Sequence, residues 1–501
     1  MELDVSLLSA ALWSLLLRLL VATFPYSGHS QPPMFGDYEA QRHWMEVTTQ
    51  LPLKEWYVNS TANDLQYWGL DYPPLTAYHS WLCGKVSELF NPEWTALNTS
   101  RGYESAEHKL FMRYSVLVSD IIVFYPAVLY WASLYTTRFE KIAAFWTLLI
   151  NPALILIDHG HFQYNGVCLG LFVWTVALVK SGHFALSAVA FSLALNFKQI
   201  ALYFAVPVFI HLLRACFMPA LSFRRLLVIS VATVATFSAI WLPFFHHGSW
   251  ELVEQVLLRV FPLHRGIYED KVANFWSVTS VLVKYKKLFS AGYLARLALG
   301  TTAACLIPSS AMLCAQKKSD DMIRRNMLNF KLALFNAAMA FFLFSYQVHE
   351  KSILFPVMAL SLVSNEYPEF VLYFTGIACF SLVPLLKKDG LLLAFAPLLV
   401  QMFLLLHKIH IEGIPERRWN RFYLLRIIMT LSLLVACAQI GIENFIPAPA
   451  RYPELYVLCN YAFSFGHFVL FFMYGHILQW RCVGSPSKQV YLATKEKVKA
   501  S

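Results

Sequence analysis

VSLLSAALWSLLLRLLVATF, from Val5 to Phe24, is a run of membrane-span length that carries one charge, Arg18. About twenty apolar residues are what a straight helix needs to cross the hydrocarbon core. Met1 to Asp4 is acidic where a cleaved leader would be basic, and no small-residue cleavage site follows. The run reads as a retained first span with Arg18 turned toward other helices. Immediately after it the chain changes character, and from about Gln31 to Arg113 it is polar.

Working outward, apolar runs recur at roughly 114–135, 142–157, 166–181, 184–198, 200–217, 226–243, 289–314, 327–346, 353–364, 369–386, 390–407, 422–441 and 455–480. The expectation is an all-α polytopic membrane protein of about fourteen transmembrane helices with a long first loop. Composition agrees: 58% of the 501 residues are hydrophobic and only 14% charged, against about a quarter charged in soluble domains. The net charge of +10 lies in short basic clusters between apolar runs. That is a positive-inside pattern, not a nucleic-acid groove. The nine cysteines are scattered without a CxxC pair, which removes zinc-ribbon and thioredoxin-type chemistry.

The basic clusters fix sidedness. Arg138 and Lys141, Arg214 with Arg224 and Arg225, Lys317 to Arg325, Arg417 to Arg421, and the lysine-rich tail occupy alternate loops. Keeping them all cytosolic places both termini inside and the first loop on the lumenal side, provided Phe275–Val283 does not cross. The only two glycosylation sequons, at Asn59 and Asn98, both fall in that loop. Lysines third and fifth from the end, Lys499 and Lys497, match a cytosolic dilysine retrieval signal and point to the endoplasmic reticulum. The chain divides into a bundle, 1–386, that includes loop 31–113, then C-terminal helices 387–480 and a cytosolic tail 481–501.

Two segments of the loop have helical order. Gly36-Asp37 precedes Tyr38 to Thr49, with Arg42 and Glu46 at i,i+4 spacing. Asp71-Tyr72-Pro73-Pro74 precedes a stretch in which Leu75, Tyr78, Leu82, Val86 and Leu89 share a face. Both read as amphipathic helices lying on the membrane surface. Asp37 and Asp71 are then either helix N-caps or carboxylates at the lumenal mouth of the bundle, where one could act as a general base. The aromatics Trp44, Trp68 and Tyr72 are either an interfacial belt or a platform for sugar rings.

Other lumenal segments carry Asp158 to Asn165, Asn196 to Gln199, His264-Arg265, and His349 to Lys351. Ionisable groups this close to apolar runs usually face a cavity. Lys198, His349, Lys351 and Arg265 are thus either snorkelling or hydrogen-bonded side chains, or a cationic pocket for a lipid phosphate. His159 and His161 lack a third metal ligand at zincin spacing, and neither a Walker loop nor a GxGxxG motif occurs. No metal, nucleotide or other cofactor is expected.

The stretches Phe35 to Trp44, Leu65 to His79, Asp158 to Asn165, Asn196 to Gln199, Glu269 to Asn274 and Val348 to Leu354 resemble the dolichyl-phosphate-glucose-dependent α-glucosyltransferases of the endoplasmic reticulum. They are most similar to the α-1,3 branch that places the first glucose on the Man9GlcNAc2 dolichyl-pyrophosphate oligosaccharide. The resemblance implies a GT-C-type fold with a lumenal active site over the bundle. It implies dolichyl-phosphate glucose as donor, the lipid-linked oligosaccharide as acceptor, and inversion at the sugar. Asp37 matches the family's catalytic aspartate, with Asp71 as supporting carboxylate and His349 first among the phosphate contacts. The alternatives are the sibling enzyme that adds the second glucose, or a secondary transporter, which intramembrane charges also suit.

Overall fold

The computed structural model describes residues 5–483 except 219, 248–249, 263–265, 269–270, 316–321 and 412–422. The described residues form helices joined by turns, and eight helices are long and apolar enough to cross a membrane. They are Ala106–Ser133, Arg138–Phe162, Gln199–Phe217, Phe223–His246, Ala291–Cys314, Arg325–Phe344, Arg426–Phe445 and Leu455–Val483. Five shorter apolar helices join them, including α1 (Val5–Ala22) and the tightly paired Asn165–Lys180 and Phe184–Phe197. The chain is a multi-pass membrane protein.

One expected span is different. Residues 353–364 hold an α-helix of only eight residues, Leu354–Ser361, all of them buried, preceded by a 3-10 turn, Glu350–Ile353. With its flanking turns the segment runs from Lys351, beside His161, to Asn365, which donates to Glu140 O at 3.1 Å at the opposite end of the Arg138–Phe162 helix. Composition could not reveal its enclosure, because a segment buried inside protein is as apolar as one facing lipid. Phe275–Val283 contains a five-residue helix, Phe275–Thr279, far too short to cross.

The first loop folds around two helices. The first, α2 (Asp37–Gln50), was expected on the membrane surface but is enclosed, with every residue from Tyr38 to Thr48 buried. Its charges make this tolerable by satisfying one another. Arg42, wholly inaccessible, donates to Glu39 at 2.8 and 2.7 Å, to Glu46 at 2.7 Å, and to Ser100 Oγ at 2.5 Å. Glu46 also accepts the Asn98 backbone N–H at 2.7 Å. Burial would raise its pKa, but the His43 hydrogen bond and the Arg42 charge bring it down to about 2.

The second helix, α3 (Pro74–Phe90), is amphipathic with its sense inverted. Thr76, Ala77, Ser80, Gly84 and Ser87 face inward, while Leu82, Val86, Leu89 and Phe90 are exposed. Small residues let α3 press against α2; a Cβ on Gly84 would lie 2.1 Å from Thr49 Oγ1. The outward apolar stripe suits lipid contact. The first loop is therefore a folded cap seated on the bundle.

Both sequon asparagines are exposed on this cap. Endoglycosidase treatment of the full chain made in microsomes is expected to shift its mobility in two steps. One step should vanish in Asn59→Gln and the other in Asn98→Gln. Resistance of the wild type to the enzyme would place the cap on the opposite face of the membrane. The dilysine match lies outside the described residues.

Candidate active site

Neither aspartate caps its helix. The N-cap of α2 is Gly36, which accepts no side-chain role, and the N-cap of α3 is Pro73. Gly36 is required by close approach: a Cβ there would sit 2.4 Å from Ser27 Oγ, and that hydroxyl takes the Asp37 backbone N–H at 3.1 Å. Ser27 in turn donates its own N–H to His161 O at 3.0 Å. The start of α2 is thus tied to the π-helical turn Leu156–Phe162, which ends the Arg138–Phe162 helix.

With its backbone held there, the Asp37 side chain turns from α2 into the bundle. His161 Nε2 lies 3.0 Å from Asp37 Oδ2, and Gln163 Nε2 and Lys351 Nζ both donate to the same oxygen. All three interactions meet on Oδ2, so the Oδ1 side carries none of them. The far side of the His161 ring is held by Asp389, with Nδ1 2.6 Å from Oδ2. Two carboxylates therefore bracket one imidazole, and only the imidazolium can donate to both. Burial alone would raise the Asp37 pKa. The charges of Lys351 and His161 and their hydrogen bonds instead bring it well below the usual carboxylate range. The result is an ionised, four-fifths-buried carboxylate with one oxygen fixed and the other available.

Lys351 and Asp389 flank the chain segment that contains Leu354–Ser361 and Pro368–Ser381. Since both reach His161, that segment enters the bundle and returns to the same end. Asp389 escaped the sequence reading: nothing in Lys387-Lys388-Asp389-Gly390 marks a pairing with a histidine 228 positions earlier. It also lies beyond residue 386, so the 1–386 bundle omits a side chain that supports the site. Gln163 lay inside a segment already singled out, without a role.

The other predicted residues are distributed around this centre. Lys198 is buried and already engaged, donating to Asn165 Oδ1 at 2.6 Å with its ammonium 4.8 Å from the Tyr72 ring centre. Asn165 passes the interaction to Asp158 at 2.7 Å, and Asp158 also accepts the Gly166 N–H at 2.6 Å. Lys351 is the partner of Asp37, not an unengaged cation. His349 is exposed at the start of the 3-10 turn. Arg265 lies outside the described residues. Asp71 is half-buried, and its carbonyl accepts from Gln199 at 3.2 Å.

Trp44 does not offer a sugar platform. It is only 4% exposed, its indole N–H is used on Trp68 O at 2.8 Å, and its ring meets Tyr72 edge-on at 4.8 Å. Its place is to support Trp68 and Tyr72, both of which are half-buried. The two histidines of the π-helical turn diverge: His159 pairs with Asp120 at 2.9 Å, beside Arg18 on the same oxygen at 3.0 Å, whereas His161 serves Asp37. Among the described residues, no group of three or more His, Cys, Asp or Glu side chains is arranged to hold a metal ion.

Fold and site together define a polytopic membrane protein with an ion-paired carboxylate centre under a folded cap. The chain belongs to the ALG6, ALG8 glycosyltransferase family, whose model matches residues 14–474. It is 42% identical over 491 residues to the dolichyl pyrophosphate Man9GlcNAc2 alpha-1,3-glucosyltransferase of Gallus gallus, covering 93% of this chain and 95% of that one. The protein of the same description from Saccharomyces cerevisiae is 40% identical over 498 residues, covering 92% and 89%. That from Rattus norvegicus is 46% identical over 389 residues, covering 76% and 74%.

Proposed function

We propose that this chain is an inverting α-1,3-glucosyltransferase that moves glucose from dolichyl-phosphate glucose to the Man9GlcNAc2 dolichyl-pyrophosphate oligosaccharide. The observation that carries this reading is the convergence of Lys351, His161 and Gln163 on one oxygen of Asp37. The names of the relatives supply the acceptor.

In the proposed reaction the acceptor hydroxyl oxygen attacks C1 of the glucosyl donor from the face opposite the phosphate. The C1–O bond to phosphate breaks, its electron pair leaves with dolichyl phosphate, and the hydroxyl proton passes to Asp37 Oδ1. A carboxylate of low pKa is a weak base toward a free alcohol. It is adequate here, because the hydroxyl becomes strongly acidic once its oxygen has bonded to C1. Remaining ionised, Asp37 also stabilises the positive charge that develops on the sugar. Asp71 supports the acceptor side, Trp68 and Tyr72 flank the sugars, and His349 at the rim takes the donor phosphate. The proposed topology is a GT-C-type bundle of the endoplasmic-reticulum membrane, with about fourteen membrane segments, a lumenal site and cytosolic termini.

The test uses full-length protein in lipid nanodiscs with synthetic dolichyl-phosphate glucose and a Man9GlcNAc2 lipid acceptor. One added glucose in α-1,3 linkage is the expected product. Transfer only to an acceptor that already carries glucose would reassign the chain to the second step, and preference for a mannose donor would overturn the donor.

The acid limb of the rate profile gives a second check. A base must be deprotonated, so a depressed pKa keeps it working at lower pH. In wild type the Asp37 limb should lie below the ordinary carboxylate range. Lys351→Met removes the largest opposing charge and leaves burial less compensated. The limb should then move to higher pH, and an unmoved limb would sink the assignment.

A further inference from the structure

On the other side of the π-helical turn from Asp37 lies a second polar centre that the proposed transfer does not use. A cavity of about 230 Å³ opens between α1 and α4 (Ala106–Ser133), and Arg18, Arg113 and His159 line it. Arg113 is 4% exposed. Its Nη2 donates to Phe24 O at 3.3 Å, Pro25 O at 3.1 Å and Gly160 O at 2.8 Å. Among the described residues, Nε and Nη1 of Arg113 have no acceptor, and neither has Nη2 of the fully buried Arg18.

The two arginines differ in charge balance. Arg18 has Asp120 at 3.0 Å. Among the described residues, no carboxylate lies within ion-pair distance of Arg113. A guanidinium presents five N–H donors and a fixed positive charge. Burying one with two idle donors and no carboxylate bonded to it is costly unless an anion completes it. Lys109, whose Nζ reaches Thr23 O at 2.9 Å, adds a third cation at the mouth.

The surroundings identify the source of that anion. Leu19 of α1 is 41% exposed and Leu110 of α4 is 57% exposed, and both line the opening. The same exposed apolar faces continue along Leu12 and Leu16 on α1 and along Val118 and Ile122 on α4. An anion reaching Arg113 along these faces is attached to an apolar chain. We infer that the cavity between α1 and α4 binds the phosphate headgroup of a membrane lipid of the polyprenyl phosphate type, held by the unpartnered donors of Arg113 and Arg18. This site is separate from Asp37, and its assignment does not rest on the transfer reaction.

The test irradiates full-length protein in phosphatidylcholine nanodiscs with a diazirine-tagged polyprenyl phosphate and maps the modified peptides by mass spectrometry. The segment 106–117 should be labelled, about tenfold more strongly than by the matching polyprenol. Labelling there should fall by about tenfold in Arg113→Gln, which removes the charge. It should also fall in Leu110→Trp, which fills the opening from an exposed position and so spares the fold. Asp37→Asn should label as wild type, which separates this site from the catalytic one. Equal labelling by phosphate and alcohol probes would overturn the proposal, as would unchanged labelling in both cavity variants. Complete loss of label in the presence of equimolar inorganic phosphate would assign the site to the free ion and overturn the lipid.

Discussion

Asp37→Asn is expected to lower the initial rate of glucose transfer by about 10²–10⁴-fold, the usual contribution of a positioned general base. Asparagine keeps the shape and can still accept from Lys351, but it cannot take the acceptor proton. The substitution also leaves Lys351 and His161 facing a neutral group, so some stability is lost with the activity. The double variant Asp37→Asn/Lys351→Met separates the two effects. It should recover thermal stability relative to Asp37→Asn, because the uncompensated charge is gone, and it should remain inactive. An unchanged initial rate in the single variant would remove Asp37 from the chemistry. A double variant that regains transfer would mean that Asp37 only balances charge.

The largest effect on stability is expected at Arg42. Arg42→Ala leaves Glu39 and Glu46 buried side by side, and breaking a buried ion pair by removing one partner costs about 3–5 kcal/mol. Ser100 and Trp94 O lose their donor at the same time, so the segment around Asn98 should come loose from α2. Protease digestion in detergent should then cut between residues 90 and 106 at a concentration that leaves wild type intact. Arg42→Lys should behave nearly as badly, since one ammonium cannot replace the fork that holds two carboxylates. A variant that neutralises the whole set, Glu39→Gln/Arg42→Met/Glu46→Gln, should be cut more slowly than Arg42→Ala. If Arg42→Ala were as resistant as wild type, the cap would be held by its apolar packing alone.

How much of this was legible in the sequence depends on the range of the interaction. Span-length apolar runs report directly on the membrane, which is why the helical bundle followed from composition and spacing. That the segment 353–364 is enclosed by protein was not legible, because burial in protein and burial in lipid demand the same apolar side chains. The α2 helix misled: Glu39, Arg42, His43 and Glu46 look like a solvated face until the fold closes them on one another. Asp37 was singled out by its place beyond the first span and by resemblance. Its environment was not, since His161, Lys351 and Asp389 are brought to it from distant parts of the chain. Lys198 and Lys351 were recognised as unusual lysines, but a sequence does not tell whether a cation is reserved for a ligand or already matched inside the protein. Trp44 shows the same limit for aromatics.

The pairing of His161 with Asp389 also sets a timetable for the protein's birth. Asp37 and its cap leave the ribosome early, and the π-helical turn follows. The carboxylate that steadies the far side of the imidazole arrives only after the buried Leu354–Ser361 segment has been packed and the chain has come back to the same end. A nascent chain halted before Asp389 would carry Asp37 and lack part of its support. That support is thereby deferred until most of the polypeptide has been made.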